Sequence, residues 1–198
     1  MHVRAVLVSD GASTDDTADK AAAAGAHVIA DTGRGKGLAI RNAIPHLESE
    51  VCVLMDADCS HDPDDIPKLA APILEGRAEH VSGSRLLGGS SELHGGFDEW
   101  ARLAGSSFIT ACINWRYGVR LSDSQNGFRA IRTDVLKSLK LRSRHTTIEQ
   151  EMIVATLRAG YTLAEVPTHE YARKAGNSHI SVWRDGPSYV LSLARLML

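Results

Sequence analysis

A short apolar segment followed by two closely spaced carboxylates constrains this chain more than any other feature. Residues 51–55 read Val-Cys-Val-Leu-Met, and Asp56 and Asp58 follow them. A run of this length that ends at acidic residues and at Pro63 predicts a buried strand that stops abruptly. Alternate residues of an extended chain point the same way, so both carboxylates can reach one cation. In open α/β sheets, ligands bind beyond the carboxyl ends of strands.

The residue types in this turn indicate which cation would bind there. Two hard oxygen ligands suit Mg²⁺ or Mn²⁺, with water and substrate phosphates in the remaining coordination positions. The sequence therefore predicts a divalent metal site at Asp56 and Asp58. An acidic turn that only caps the following helix is the alternative, and this segment alone does not decide between the two.

Composition excludes several classes of protein. The chain has 198 residues, of which 43% are hydrophobic and 23% charged, as expected for one globular domain with a full core. A net charge of −2 gives no indication of nucleic-acid binding. Three cysteines without a CxxC pair argue against a disulfide framework or zinc site and favour a reducing compartment. We expect no signal peptide and no membrane-spanning helix, and a cytoplasmic location.

The N-terminal part alternates strand and helix patterns. Residues 5–8 and 27–30 read as strands, and between them a helix over 18–24 is predicted to be capped by Ser13 or Thr14. A β-α-β start predicts a parallel, doubly wound sheet and hence the α/β class.

Two segments near these strands could contact a nucleotide. Asp10 ends the first strand, where a carboxylate can accept hydrogen bonds from a base or ribose, although a local turn into the helix is the simpler explanation of Asp10 alone. Gly35 and Gly37 flank Lys36 before a helix predicted over 38–47, an arrangement that allows close approach of a diphosphate. A basic surface loop is the alternative.

The rest of the chain continues the alternation. The patterns predict helices over 64–74, 97–115 and 146–160, strands at 80–83, at 161–166 and up to residue 131, and a Gly-rich loop at 84–90. Residues 171–179 are basic and could close over a diphosphate through Arg173 and Lys174, or form an ordinary surface loop. A short amphipathic helix is predicted from Pro187 to the end.

Several of these motifs agree in order and spacing with one family. The chain resembles the inverting family 2 glycosyltransferases of the GT-A fold, and among them the dolichol-phosphate mannose synthases and related polyprenyl-phosphate glycosyltransferases. Residues 55–63 are the most specific match, because they are very similar to the family's metal motif. The likeness covers nearly the whole chain and is carried further by residues 9–15, 34–37, 83–85, 127–129 with Asp123, 149–152 and 171–178.

The resemblance implies a fold. We expect one GT-A-like, Rossmann-like domain over residues 1–198, with a mostly parallel sheet flanked by helices and a C-terminal basic loop and short helix at about 171–198. Family members begin with one further strand and a nucleotide-contacting turn, and this sequence begins at what corresponds to their second strand. We therefore expect the first family strand to be missing. Ser9, Ala12 and His179 also depart from the family pattern.

The resemblance also implies an activity and a donor site. A hexose, mannose or glucose, would pass from GDP-mannose or UDP-glucose to a polyprenyl phosphate of the dolichyl type. Asp10 would hold the base or ribose, and Asp56, Ala57 and Asp58 would bind the nucleotide sugar. Asp56 and Asp58 would carry the Mg²⁺ or Mn²⁺, and Lys36 would bind the diphosphate.

The remaining site residues are implied on the acceptor side and over the diphosphate. Arg173, like Lys36, would stabilise the leaving nucleoside diphosphate. Arg85 and Arg102 would bind the acceptor phosphate, and Asp123 would lie near the sugar or that phosphate. A role for Asp123 as a base is less well supported, because a phosphate is already ionised at neutral pH.

A lipid acceptor implies contact with a membrane, at its cytoplasmic face. The apolar parts of the helix over 100–115 and of the segment 189–198 are candidates for peripheral contact, and a separate membrane subunit is an equal alternative.

Other functions remain open. An N-terminally truncated, inactive domain that binds a sugar nucleotide or a partner is the main alternative, supported by the missing strand. A haloacid-dehalogenase phosphatase also has Asp-x-Asp at a strand end, but its following residues differ from 60–63 here. A nucleotidylyltransferase shares the broad fold but has an N-terminal Gly-rich signature that this sequence lacks.

Overall fold

The computed structural model describes residues 2–91, 97–173 and 182–197, without the side chains of 97–99 and 182–185. Within these ranges the strands are β1 Leu7–Asp10, β2 His27–Ala30, β3 Val51–Leu54, β4 His80–Ser84, β5 Arg129–Arg132 and β6 Leu163–Pro167. The α-helices are α1 Thr17–Ala23, α2 Lys36–Ala43, α3 Ile66–Leu74, α4 Arg85–Gly88, α5 Phe97–Tyr117, α6 Thr133–Ser138, α7 Ile148–Arg158 and α8 Val182–Met197. Short 3₁₀ turns at Ile44–His46 and Pro63–Asp65 follow α2 and precede α3.

Most predicted elements are confirmed, and the differences have local causes. The predicted cap of α1 is wrong: Asp16 occupies the N-cap position, because the amide and hydroxyl of Ser13 both donate to Asp10 instead. The predicted Gly-rich loop at 84–90 contains α4, since the Ser84 hydroxyl accepts a hydrogen bond from the Leu87 amide and starts a helical turn.

Two helical segments differ more. The sequence patterns missed α6, whose Val135 and Leu136 are fully buried. Helix α8 begins at Val182 and contains Pro187, which the sequence placed at its start. Packing of α8 on α5 and α7 outweighs the helix-breaking tendency of one proline. Of the predicted basic segment, 174–179 lies outside the described residues.

The strands form two sheets. Strands β1 and β2 pair in parallel, and a second sheet has the order β3-β5-β4-β6. Within it, β4 and β6 are parallel, whereas β5 runs antiparallel to both β3 and β4. The α/β class is confirmed, but parallel and antiparallel pairings are equally numerous in the described residues. The expected mostly parallel sheet is therefore observed as a divided, mixed one.

The direction of β5 explains both the mixed pairing and the place of the site. Arg129, its first residue, pairs with Leu54 at the end of β3 and with Ser82 near the end of β4. The loop before β5 therefore enters the sheet at the edge where β3 and β4 terminate. That edge is where the fold brings Asp56 and Asp123 together with their partners.

Among the described residues, three clusters of buried side chains fill the interior. Two of them cover the faces of the four-stranded sheet, around Ile131 and around Phe128. The third joins α5, α7 and α8 through Ile113, Ile153 and Leu193. Among the described residues, no helix combines the length and the hydropathy needed to cross a bilayer.

Candidate functional site

The predicted metal turn leaves the sheet directly after β3. Cys59 has a φ of 64°, which is unusual for a residue with a side chain and marks a tight left-handed turn. The turn lets the Asp58 carboxylate accept hydrogen bonds from the Ser60 amide at 3.1 Å and the Ser60 hydroxyl at 2.6 Å. Burial opposes ionisation of Asp58, but these hydrogen bonds and the charge of Arg173 outweigh it, so its pKa is lowered. Ala57 is exposed between the two carboxylates.

In the part of the chain that the structure describes, two cations contact these carboxylates. Lys36 Nζ lies 2.6 Å from Asp56 Oδ1 and 2.7 Å from Glu149 Oε1. Arg173 Nε lies 3.0 Å from Asp58 Oδ2. The amide of Tyr171 donates to the Ser60 carbonyl at 2.8 Å, which fixes the chain just before Arg173. The fold therefore joins residues that are widely separated in sequence around one turn.

Glu149 is a site residue that the assigned roles missed. It lies near the start of α7 and is almost fully buried. Burial alone would lower the pKa of Lys36, but the charges of Glu149 and Asp56 outweigh that effect and raise it. Lys36 therefore stays protonated. In the sequence, the only signal for a role of Glu149 was that it lies in the 149–152 segment that resembles the family.

A second missed residue lies beneath these groups. Arg129 is fully buried, and its guanidinium donates to the carbonyls of Asn126 and Glu149. Burial lowers the pKa of Arg129, while the charges of Glu149, Asp123 and Asp56 favour its charged form. A buried arginine under a cluster of carboxylates offsets part of their mutual repulsion.

Glycines let the backbone approach these side chains closely. A Cβ on Gly127 would lie 2.7 Å from both Asp56 Oδ2 and Lys36 Nζ. A Cβ on Gly35 would lie 2.5 Å from the Arg144 carbonyl oxygen, and one on Gly37 would lie 2.5 Å from that of Ser143. The two glycines predicted to favour an anion are thus also required by packing against the loop before α7.

Arg85, which is partly buried, forms an ion pair with the buried Asp123. Arg85 Nε lies 2.6 Å from Asp123 Oδ2, and Arg85 Nη2 lies 3.1 Å from Oδ1. A second carboxylate, Glu170, lies 3.3 Å from Arg85 Nη1. Burial would raise the pKa of Asp123, but Arg85 outweighs it and the pKa is lowered. Burial likewise disfavours the Arg85 cation, yet the charges of Asp123 and Glu170 raise its pKa.

Further contacts hold this pair at the sheet edge. The amides of Ser122 and Asp123 donate to Glu165 on β6, at distances of 2.8 to 3.1 Å. Asp123 also accepts from the Gln125 amide at 3.0 Å. Asp123 is therefore an ionised carboxylate with its oxygens engaged, which makes it a weak proton acceptor.

His61 packs beside the metal turn. Its ring stacks on Phe128 with 4.8 Å between centroids, and its Nδ1 lies 3.4 Å from the Asp56 amide nitrogen. Burial lowers the pKa of His61. The ring thus packs between the turn that carries Asp56 and the side chain of Phe128, which precedes β5.

Two predicted residues are not joined to this cluster. Asp10 ends β1 and makes the local turn that was its simpler explanation, accepting from the Ser13 hydroxyl at 2.5 Å and the Ser13 amide at 3.1 Å. Arg102 lies half-buried on α5, and in the described part of the chain no hydrogen bond or ion pair links it to Arg85. Their roles toward nucleotide and acceptor stay predictions.

The donor set agrees with the predicted kind of metal site. In the described residues, no group of three or more His, Cys, Asp or Glu side chains could enclose a metal by itself. Asp56 and Asp58 offer oxygen ligands on one turn, beside cations able to bind phosphate. Such a site suits a hard divalent ion that shares its coordination with a diphosphate.

Sequence comparison relates the chain to known proteins. A family profile described as Glycosyl transferase family 2 matches residues 2–139. Glycosyltransferase AglJ of Haloferax volcanii is 32% identical over 192 residues, covering 96% of this chain and 62% of AglJ. A dolichyl-phosphate hexose transferase of the same organism is 28% identical over 199 residues, covering 98% of this chain and 82% of the relative. The chain spans less than two thirds of AglJ.

Solved structures share the fold. Glucosyl-3-phosphoglycerate synthase from Mycobacterium tuberculosis, in complex with Mn²⁺, uridine diphosphate and glucosyl-3-phosphoglycerate, superposes with a TM-score of 0.75 at 21% identity. The likeness covers 98% of this chain and 69% of that one. At this identity it shows the fold alone.

The family profile covers well over half of the chain and includes the turns at Asp10, Lys36, Asp56 and Asp58, together with the Arg85–Asp123 pair. The assignment of residues 140–198 to the same domain stays a prediction. With the α/β fold and the ordered motifs, this match gives the identity of the chain: it belongs to glycosyl transferase family 2.

Proposed function

We propose that this chain is a metal-dependent inverting glycosyltransferase that moves a hexose from a nucleotide sugar to a polyprenyl phosphate. The observation that supports this most directly is the turn at Asp56 and Asp58, with Lys36 at 2.6 Å and Arg173 at 3.0 Å. Carboxylates for a cation and cations for a diphosphate lie around one strand end. That combination fits a nucleotide diphosphate donor better than a simple phosphomonoester.

Lys36 and Arg173 act on the leaving group in this proposal. When the bond between the anomeric carbon and the β-phosphate oxygen breaks, the electron pair leaves with the nucleoside diphosphate. A bound Mg²⁺ or Mn²⁺ on Asp56 and Asp58 would neutralise part of the developing negative charge. The Lys36 ammonium and the Arg173 guanidinium stabilise the rest, because preformed positive charge acts where negative charge increases.

The acceptor supplies its own nucleophile. An ionised phosphate oxygen of the polyprenyl phosphate attacks the anomeric carbon from the face opposite the diphosphate, and the configuration inverts. No strong base is needed, which agrees with Asp123 being held as a weak base by Arg85.

Arg85 and Arg102 are the proposed partners of the acceptor phosphate. Since Arg85 is already bound to Asp123 and Glu170, it can present only part of its guanidinium to an acceptor. Asp123 then acts by orienting Arg85. Asp10 contacts the base or ribose, and the backbone at Ala57 lies between the two proposed metal ligands.

The relatives support the chemical class and leave the sugar open. A curated relative is named as a dolichyl-phosphate hexose transferase, and the fold neighbours were crystallised with Mn²⁺, UDP-glucose and phosphoglyceric acid. Both GDP-mannose and UDP-glucose therefore need testing as donors. For a lipid acceptor we propose action at the cytoplasmic face of a membrane, through peripheral contact of this chain or a separate membrane subunit.

Calorimetric titration tests the donor site. GDP and UDP are titrated with and without Mn²⁺ into the wild type, Asp58→Ala and the control Asp64→Ala, whose side chain is exposed. We expect metal-dependent binding of one nucleotide to the wild type and to Asp64→Ala, and its loss in Asp58→Ala. Binding of neither nucleotide, or unchanged binding in Asp58→Ala, would contradict the proposal.

A transfer assay tests the acceptor. The preferred nucleotide identifies the labelled donor, which is incubated with polyprenyl phosphate or 3-phosphoglycerate. Metal-dependent label in the lipid fraction is expected, and label only in phosphoglycerate would replace the lipid by a small acceptor.

A domain that binds sugar nucleotides or a partner without transfer is the second candidate. The divided sheet supports it, because β1 carries Asp10 in a sheet that does not pair with β3. Metal-dependent nucleotide binding with no transfer to either acceptor would favour this candidate.

A further inference from the structure

Helix α5 exposes a continuous apolar stripe. Trp100 is 66% exposed, Phe108 59% and Trp115 86%, and the exposed Ala104 and Ala111 lie between them. At 100° per residue, these five positions fall within an arc of about 80° of the helix. A helix of a monomeric domain buries its apolar stripe, so one that faces solvent marks an interaction surface.

The stripe is not the core-facing side of the helix. Ile109 and Ile113, on the other side of α5, are almost fully buried against α7 and α8. The helix is thus held in place by one apolar face while it presents a second. The sugar-transfer chemistry and the metal turn do not use this second face, which the sequence offered as one of two candidates for membrane contact.

The stripe alternates large and small side chains, and this pattern is self-complementary. We infer that it binds the same stripe of a second copy of this chain, with the two α5 helices antiparallel about a two-fold axis. In that arrangement Phe108 packs against Ala111 of the second copy, and Trp115 packs against its Ala104. Symmetry makes each contact occur twice, and large residues facing small ones let the helices interdigitate.

The three aromatic side chains supply about half of the area that each partner of a standard dimer buries. A fully covered aromatic side chain buries about 150–250 Å². Given their exposed fractions, Trp100, Phe108 and Trp115 together offer roughly 320–530 Å² per protomer, before the alanines and the rim are added. A standard interface buries about 800 Å² per partner, and tryptophans are enriched among the residues that dominate binding.

A second copy fits the stripe better than a lipid surface does. Helices that lie on membranes carry a strongly charged face rich in lysine and arginine. Between residues 100 and 117, α5 has only Arg102 and Arg116 as charged residues, and its opposite face is in the protein core. The small alanines would add little to lipid insertion, whereas they provide the gaps that a second copy would fill.

Sedimentation velocity over a concentration series tests this inference. Protein is measured from about 1 to 100 μM, a range that corresponds to binding free energies of about 8 to 5.5 kcal/mol. We expect the wild type to dimerise in this range and Phe108→Glu to weaken dimerisation at least about 100-fold, because the two-fold axis buries the introduced charge twice. Leu191→Glu on α8 is the matched control, since Leu191 is also 59% exposed, and it should leave the dimer unchanged.

A second variant avoids introducing a charge. Ala104→Trp fills the gap proposed for Trp115 of the second copy and should also weaken the dimer, while circular dichroism shows that both variants remain folded. A monomeric wild type at the highest concentration, or equal loss of the dimer in Leu191→Glu, would overturn the inference. Phe108-dependent sedimentation of a monomer with vesicles of equimolar phosphatidylcholine and phosphatidylglycerol would assign the stripe to a lipid surface instead.

Discussion

The two sheets of this molecule differ in how deeply their residues are buried. Every residue of β4 in the four-stranded sheet is buried, whereas within the described chain no residue from 2 to 30 is. The β1–α1–β2 unit is joined to the rest by α2 and by contacts such as the 2.8 Å hydrogen bond from Asn42 to Asp31. The metal turn therefore follows a strand of the four-stranded half of the molecule, whereas Asp10 belongs to the less buried N-terminal half.

Hydrogen exchange should show the largest difference between the two halves. Strand β5 has neighbours on both edges, whereas β1 pairs only with β2 in the described structure. We expect opening free energies for β5 amides to exceed those for the β1–β2 amides by about 5 kcal/mol or more. Exchange measured by mass spectrometry on peptides from each strand checks this, and equal protection would abolish the distinction.

The same substitution made in each half should change the free energy of unfolding by different amounts. Ile131→Ala on β5 removes a fully buried side chain and is expected to cost about 2–5 kcal/mol of unfolding free energy. Ile29→Ala makes the same chemical change at a half-buried position of β2 and should cost about 1 kcal/mol. Chemical denaturation measures the loss of unfolding free energy in each variant. Equal losses in the two variants would mean that the N-terminal unit is packed as well as the four-stranded sheet.

Ion pairs should also differ in their contribution to stability, with the more buried pair contributing more than the exposed one. Asp123→Asn weakens the buried pair with Arg85 and is expected to cost about 2 kcal/mol. Glu48→Gln breaks the exposed pair with Arg4 and should change stability by no more than about 0.5 kcal/mol. Because the folded-state pKa of Asp123 is lowered, its contribution is present above pH 4 and is lost as the pH falls below that value. Denaturation at pH 7 and at pH 3 tests both statements.

A pH dependence is expected from a buried histidine. His80 on β4 is fully buried, its Nδ1 lies 2.9 Å from Thr156 Oγ1, and burial places its pKa well below 6.5. The unfolded chain binds this proton at higher pH, so stability should fall as the pH drops below 6.5, by about 1 kcal/mol per pH unit. His80→Gln should reduce this slope, and an unchanged slope in that variant would contradict the assignment to His80.

Local sequence patterns were sufficient for the metal turn and for most elements. The apolar run before Asp56 and the proline after Asp62 are both encoded within a dozen residues, and β3 and the following turn formed where they indicated. Local patterns also singled out Lys36 and Arg173 as possible contacts of a diphosphate, and the fold brings them to Asp56 and Asp58. The α/β class followed from the alternation of strand and helix.

What could not be predicted depends on contacts between distant residues. The pairing of Arg85 with Asp123 joins positions 38 residues apart and changes Asp123 from a possible base into an ionised partner. The antiparallel course of β5 and the burial of Glu149 likewise depend on how the sheet assembles. No periodicity in a short window contains that information.

The contacts of Lys36 have a consequence for the order in which ligands bind. The Lys36 ammonium contacts one carboxylate oxygen of Asp56, so a divalent cation on that oxygen would compete with it, and the ammonium is held by Glu149 as well. A diphosphate offers that ammonium an alternative partner. We therefore expect metal and nucleotide to raise each other's affinity by the same factor, as thermodynamic reciprocity requires. Titration of each ligand in the presence and absence of the other measures this factor, and a value of one would mean that the two bind independently.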